Sequence, residues 1–577
     1  MLSMYSIKSL NMFCILITTT CLMQVSCGSE KQSADLIIVG KNIQTVNASN
    51  EKVQAVAVKD GIIQAVGDST AIASWMGKET RKINIADGLV LPGLIEAHGH
   101  FSNLGKGKQN LNFLKTNSWE EIVSMVAKKT EKVQAGEWIY GRGWHQDKWD
   151  SQPENSIGTY PTHNSLSDIS PDNPTILFHA SGHSLFANKK AMELAGISSE
   201  TPDPSGGHII RDASGNAIGV FEERAMNSIR SAYQEYLDEL PPEELDRKWH
   251  EGIELATQEC IEKGLTSFQD AGSHFYEIEN YKNLANEGKL GIRLWAMLRH
   301  SSEEMKDVAG DYKMIGEGNN FFTCRAIKTE VDGALGAYGA WLLKPYDDKP
   351  GFVGQNTTEI SEVEAIADIA IANDMQLSVH AIGDRANQEV LNIIERKVSS
   401  TDHRWRIEHA QHLHPDDIPR FARTGTIASM QAIHCTSDSP FVVTRLGEER
   451  ARVGAYPWRS LLDSGAKVIN GTDTPVEDVD PLASYYASVT RMRPDHDVAF
   501  FPEQAMTRME ALRSYTIDAA YGAFEDHIKG SIEVGKLADF TILDKDILMC
   551  EDREILDTKV LYTIIDGKIK YRADTNL

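Results

Sequence analysis

Between Leu94 and Asn470, short apolar runs alternate with helical stretches, and this alternation constrains the fold more than any other feature of the chain. The first run ends at His98. It is followed by Leu265–Asp270, Ile292–Met297, Arg325–Thr329, Gln376–His380, Trp405–His409, Thr426–Met430 and Lys467–Asn470. Helical patterns lie between them, among others at Tyr276–Glu287, Glu359–Asn373 and Ala386–Lys397. Strands alternating with helices make βα units and hence a parallel sheet. Eight strands in this pattern fit an α/β fold, a closed (β/α)8 barrel of TIM type spanning 91–527. The segment after the first strand is too long for a loop and reads as a subdomain, 105–240, inserted over the barrel mouth.

The two ends of the chain read differently. Residues 34–90 and 528–577 consist of short strands and turns, with Lys59-Asp60-Gly61 and Asp566-Gly567 as hairpin signals. They are expected to pair into one small sheet domain. Ahead of them, residues 1–27 read as an export signal. Lys8 is the only charge, and an uncharged, mostly apolar run from Leu10 to Val25 follows. That run is shorter than the roughly 20 residues that span a bilayer. Gln24-Val25-Ser26-Cys27-Gly28 resembles a bacterial lipoprotein cleavage site with Cys27 as the lipid acceptor. Gln24 departs from the usual aliphatic residue, and an ordinary signal peptide cut near the same place is the alternative. The expectation is an exported protein of the periplasm or cell envelope that touches the membrane only through this anchor.

The formal net charge of −25 argues against nucleic-acid binding, which relies on Lys and Arg to release counterions. Of the seven cysteines, Cys14, Cys21 and Cys27 belong to the leader. Cys260, Cys324, Cys435 and Cys550 lie far apart without Cys-x-x-Cys spacing, so they read as free thiols.

Chemistry enters at the strand ends, where barrel enzymes place their active sites. His98 and His100 stand two residues apart in extended backbone and so point to one face. Both rings can reach one divalent ion of the zinc type. Further strand ends carry Lys328, His380, His409 and Asp473. Each alone reads as a satisfied polar residue near a helix cap; together they form a set of metal-ligand types with a general base. Glu408 is expected by alternation on the opposite side of its strand from His409, as support or packing and not as a ligand. Trp138, Trp144 and Trp149 read as packing inside the insertion.

With these motifs in place the chain resembles the metal-dependent amidohydrolase superfamily, in its branch containing N-substituted formamide deformylases (amidohydrolase family 3). The resemblance rests on Leu91-Pro92-Gly93-Leu94-Ile95-Glu96-Ala97-His98-Gly99-His100, Gly141-Arg142-Gly143-Trp144, Gly182-His183 with Asn188, and Asp203-Pro204-Ser205-Gly206-Gly207. It continues through Lys328-Thr329-Glu330-Val331-Asp332-Gly333, His380-Ala381-Ile382-Gly383-Asp384, Arg406-Ile407-Glu408-His409-Ala410, Gly471-Thr472-Asp473-Thr474-Pro475 and Gly535-Lys536-Leu537-Ala538-Asp539. It implies that the chain ends form a β-sandwich beside the barrel. It implies that His98, His100 and Asp473 bind one metal and His380 and His409 a second, bridged by a carbamylated Lys328. An unmodified Lys328 with a single metal is the alternative.

The implied activity is hydrolysis of C–N bonds in amides or N-substituted formamides, with a metal-activated water as nucleophile and Asp473 as proton shuttle. The partner is thus a small-molecule amide, and a homodimer is compatible with the sequence. Ester, lactone or cyclic-amide hydrolysis on the same site, or a non-catalytic surface binding protein, are the alternatives. His434 is expected to polarise the scissile carbonyl or to hold a substrate carboxylate, although Ala432 stands where relatives usually have Pro. His183 and His145 are expected to touch substrate from the insertion; His145 occupies a position where relatives often carry Asp.

Overall fold

Eight parallel strands succeed one another around a barrel: β1 (Leu94–Gly99), β2 (Leu265–Ser273), β3 (Arg293–Leu298), β4 (Phe322–Glu330), β5 (Gln376–Ala381), β6 (Arg406–His409), β7 (Ile427–Met430) and β8 (Val468–Asn470). This computed structural model describes residues 33–574 apart from 114, 147–148, 151–152, 154, 180–183, 205–206 and 337. The leader with Cys27, and His183, therefore lie outside the described residues. Each strand pairs in parallel with its successor in sequence. The barrel strands are almost wholly buried, as expected for a parallel sheet covered on both faces.

The barrel interior is polar at its centre. The buried Arg406 guanidinium donates to Gln269 Oε1 at 2.6 Å and to Gly522 O at 2.6 Å, and lies 4.6 Å over the Trp295 ring. Buried charge of this kind is tolerated because its donors are engaged. Among the described residues β8 and β1 share no ladder. The seam is closed by Asp473 N donating to His98 O and His100 N to Thr474 O, both at 2.8 Å. The buried Glu96 carboxylate adds to it, accepting from Thr472 N at 2.7 Å and Thr472 Oγ1 at 2.9 Å.

Between β1 and β2 lies the insertion. Its six-stranded sheet runs in the order Leu111–Asn112, Ile139–Trp144, Thr175–His179, Ser184–Ala187, Ala217–Glu223, Gly207–Arg211. Trp119, Trp144, Trp149 and Phe186 pack in one core, and Trp138, Phe178, Leu185 and Phe221 in another. The three tryptophans read from sequence are thus packing residues. The insertion returns through a long helix, Pro242–Glu262, which crosses the helix after β1, Phe101–Gln109. They meet at glycines: a Cβ on Gly105 would lie 2.2 Å from Gly252 O. That close crossing anchors the turn carrying His100.

Strands from both chain ends share one eight-stranded sheet. Its first strand, Leu36–Gln44, pairs with Arg81–Ile85 through Leu36–Gly40 and, beyond a register shift, with Leu89–Pro92 at Ile43. Phe540–Leu543 pairs with Leu89–Pro92, bringing the C-terminal strands in. Both hairpin signals form turns with left-handed residues, Asp60-Gly61 (φ 51 and 74) and Asp566-Gly567 (φ 57 and 69). Cys260, Cys324, Cys435 and Cys550 are free thiols. No helix among the described residues is long and apolar enough to cross a membrane.

Candidate metal centre

At the C-terminal mouth of the barrel, His98, His409 and Asp473 bring one ligand atom each within 4.8 Å of one another, all three buried. His98 Nε2 lies 3.5 Å and His100 Nε2 3.1 Å from Asp473 Oδ1. Two ligands of a tetrahedral zinc, each about 2.1 Å from the ion, lie about 3.4 Å apart, so these separations match a shared ion. The His380 ring stands 4.4 Å from that of His409, centroid to centroid, and the His409 ring 4.7 Å from that of His98. His434 Nε2 is 3.9 Å from Asp473 Oδ2.

The fit of a metal can be tested on the buried polar atoms. His98 Nε2, His380 Nε2, His434 Nε2 and Asp473 Oδ1 are all buried without a hydrogen-bond partner. Orphaned polar atoms in a native core are rare and costly. His98 Nε2 and Asp473 Oδ1 face each other at 3.5 Å, with His409 beside them, which is the pattern of a cation site, and the donor set of imidazoles and carboxylate suits a divalent metal.

The outer partners set which atoms can ligate. His98 Nδ1 donates to Glu408 Oε2 at 2.5 Å, which leaves its Nε2 lone pair free. His409 Nδ1 donates to Gln431 Oε1 at 2.7 Å, with the same consequence; Gln431 is fixed in turn by donating Nε2 to Ser429 O at 3.1 Å. His434 differs. Its Nδ1 faces the amide nitrogen of Gln411 at 3.1 Å, a group that can only donate, so the ring proton sits on Nε2. His98 and His409 therefore present lone pairs to the cluster, whereas His434 presents a donor.

Burial and neighbouring charge act against each other on the groups of this cluster. Burial would raise the Glu408 carboxyl, but His98, Arg406 and Lys328 hold it down at about 2. Burial opposes a charge on His98 too, yet the neighbouring Glu408 carries its pKa above the ordinary value. Burial, then the Lys328 charge, pushes His380 down to about 3, and burial with His380 and His98 lowers His409 well below the usual range. Asp473 is held far below the usual carboxylate range by His100 and His98 although burial works against it. Burial lowers Lys328 despite the opposing pull of Glu408 and Asp473.

Of the residues expected from sequence, His98, His100, His380, His409, His434 and Asp473 come together at the mouth. Lys328 is buried on β4, and its charge bears on His98, His380, His409 and Glu408. His145 packs in the insertion with its ring 4.6 Å from that of His179. One expectation needs correction: Glu408 and His409 do not lie on opposite sides of β6, since both meet His98. The backbone at His409 is left-handed, φ 74, which ends the alternation and turns the imidazole back toward the barrel axis. Asp473 shares this rare conformation, φ 58.

Sequence reasoning missed the roles of Gln431, Gln411, Glu96 and Asp332. Asp332 accepts from Ile382 N at 2.9 Å, Gly383 N at 2.8 Å and Trp341 N at 2.8 Å, fixing the turn beyond His380. Burial pushes its carboxyl up to about 7. A signal existed for Glu96, since an acid inside an apolar strand run must be paired if it is buried. None existed for the two glutamines.

This fold and site define a metal-dependent hydrolase of the barrel class. A family model described as an amidohydrolase family matches residues 81–571, and the chain belongs to that amidohydrolase family. It is 30% identical over 562 residues to Protein LONG AFTER FAR-RED 3 of Arabidopsis thaliana, covering 93% of this chain and 92% of that protein. It is 29% identical over 555 residues to an N-substituted formamide deformylase of Arthrobacter pascens, covering 94% of this chain and 99% of that one. The crystal structure of an uncharacterized metal-dependent hydrolase from Pyrococcus horikoshii aligns with a TM-score of 0.70 at 26% identity, over 90% of this chain and 99% of that one.

Proposed function

We propose that the chain hydrolyses the C–N bond of amides, N-substituted formamides among them, on a site that holds two zinc ions. The observation that carries this reading is the approach of His98, His409 and Asp473 to within 4.8 Å of one another, with His98 Nε2 and Asp473 Oδ1 buried and unpartnered. His98, His100 and Asp473 would hold one ion and His380 and His409 the other, with Lys328 between them. Burial favours the neutral Lys328 amine. That amine can add to carbon dioxide, losing one proton, to give an anionic carbamate with two ligand oxygens. When bound, the metal supplies Lewis acidity, lowering the pKa of water and polarising a carbonyl.

The remaining steps belong to the chain. Asp473, kept ionised by His100 and His98, accepts a proton from the attacking water. The oxygen adds to the acyl carbon, and His434 Nε2–H donates to the carbonyl oxygen as charge develops there. Asp473 then returns its proton to the nitrogen as the C–N bond breaks, releasing a carboxylic acid and an amine. Formamides are the first substrates to try because one relative is described as a formamide deformylase. The leader features support export with a lipid anchor at Cys27. The test is amine release from a panel of N-formyl and N-acyl amines, beside matched esters, with Asp473→Asn as control. Amine release in the parent and a drop of about 10²–10⁴-fold in the variant are expected. Ester cleavage with no amine released from any amide would overturn the proposal.

A further inference from the structure

A cavity of about 510 Å³ opens beside the metal centre, with Lys328 as the residue common to both. Its lining carries three acids, and each is already engaged. Glu304 caps a short helix, accepting from Ser301 N at 3.1 Å and Ser301 Oγ at 2.6 Å. Glu362 accepts from Ser302 N at 2.6 Å and Ser302 Oγ at 2.7 Å. Glu330 takes the Nη2 of Arg299. The cations are not matched in the same way. Lys328 is assigned above to the metal centre. Arg299, directly after β3, makes that single side-chain hydrogen bond among the described residues, so its Nε and Nη1 are left over.

Arg299 is also held in place. Its stem lies on Gly272, at the end of β2, where φ is +133 and a Cβ would stand 2.9 Å from Arg299 Cδ. Its backbone N donates to Ser273 O at 3.0 Å. Its side chain is 41% exposed, so it can be reached from solvent, and its charge bears on both Lys328 and His380. A guanidinium with one edge tied to Glu330 and donors to spare, beside a reaction centre, is suited to gripping a planar anion.

We propose that Arg299 is a specificity residue that binds a carboxylate on the substrate, so that the preferred substrates are amides bearing a carboxylate; this rests on the amide hydrolysis proposed above. Arg299 sets which amide is bound and takes no part in proton transfer.

The test compares matched ligands that differ by one carboxylate. One pair is N-formylphenylalanine and N-formylphenethylamine. The other, with the carboxylate on the acyl side, is N-succinyl- and N-propanoylphenethylamine. Each is titrated calorimetrically into the metal-free full chain, where no turnover occurs, and its KM and kcat are measured on the zinc-loaded enzyme. In at least one pair the acidic member is expected to bind the parent more tightly. Arg299→Met should weaken that member about 10- to 100-fold, as for loss of a charge-assisted bidentate contact, and leave the uncharged member unchanged. KM should rise with kcat nearly constant, and Arg299→Lys should restore part of the loss. Should Arg299→Met fail to fold, Glu330→Gln carries the test: removal of the competing carboxylate is expected to tighten binding of the acidic ligand. Equal binding of both members in both pairs, equal weakening of both by Arg299→Met, or no tightening in Glu330→Gln would overturn the assignment. Selective binding with no hydrolysis of any ligand would leave Arg299 in place and remove the amide-hydrolase reading instead.

Discussion

Three buried imidazoles at the barrel mouth differ in what their second nitrogen touches, and that difference sets what the first can do. His98 and His409 donate Nδ1–H to Glu408 and Gln431, so their Nε2 lone pairs are free to ligate; His434 accepts from Gln411, so its Nε2 is a donor. His434→Ala is therefore expected to lower kcat by about 10²–10³-fold, the cost of removing one oxyanion donor, with metal content unchanged. Glu408→Gln keeps an acceptor for His98 but removes the charge, and should weaken metal affinity about 10- to 100-fold. Chelator titration beside kcat separates the two; loss of metal from His434→Ala would make His434 a ligand. The residue types gathered at the mouth were legible in sequence because His, Asp and Lys at strand ends advertise their chemistry. Their partners were not, since a glutamine earns no notice until the fold sets it against a ring nitrogen.

At the scale of elements, each barrel strand is a short apolar run set off by helical periodicity, which is why all eight could be read from the chain. How the barrel closes could not be. The seam between β8 and β1 depends on Glu96, whose Oε1 accepts from His98 N at 3.1 Å and Thr472 N at 2.7 Å. Glu96→Ala would orphan two buried amides and is expected to cost about 2–6 kcal/mol, at about 1–3 for each group. Glu96→Gln keeps the one oxygen that accepts from both amides and offers Nε2–H to Thr472 Oγ1, and should stay close to the parent. Denaturant midpoints of the three proteins decide this; equal losses in both variants would show that packing, not the acceptor, closes the seam. The sidedness of Glu408 and His409 was misread for a local reason, because the period of two holds only while the backbone stays extended. His409 leaves it at φ 74.

For the whole molecule, the terminal sheet and the barrel are joined by a buried ion pair. Arg293, at the start of β3, donates Nε to Asp539 Oδ2 at 2.7 Å and Nη2 to Asp539 Oδ1 at 3.0 Å, beside the strand Phe540–Leu543. Arg293→Met strands the Asp539 charge and should destabilise the chain by about 3–5 kcal/mol. Adding Asp539→Leu should recover much of that loss, and a double variant no more stable than the single would refute the pairing argument. The sharing of one sheet by the two chain ends was legible from their common style of strand and hairpin turn. The insertion was legible only as length, since its strands are short and its pairing partners distant in sequence. All these levels converge on one claim, that the folded chain is built around a metal. The most direct test is the metal content of the purified protein, prepared with zinc and bicarbonate, beside Lys328→Ala. About two ions per chain, falling in the variant, is the expected result; a well-folded parent chain that binds no metal would contradict the account.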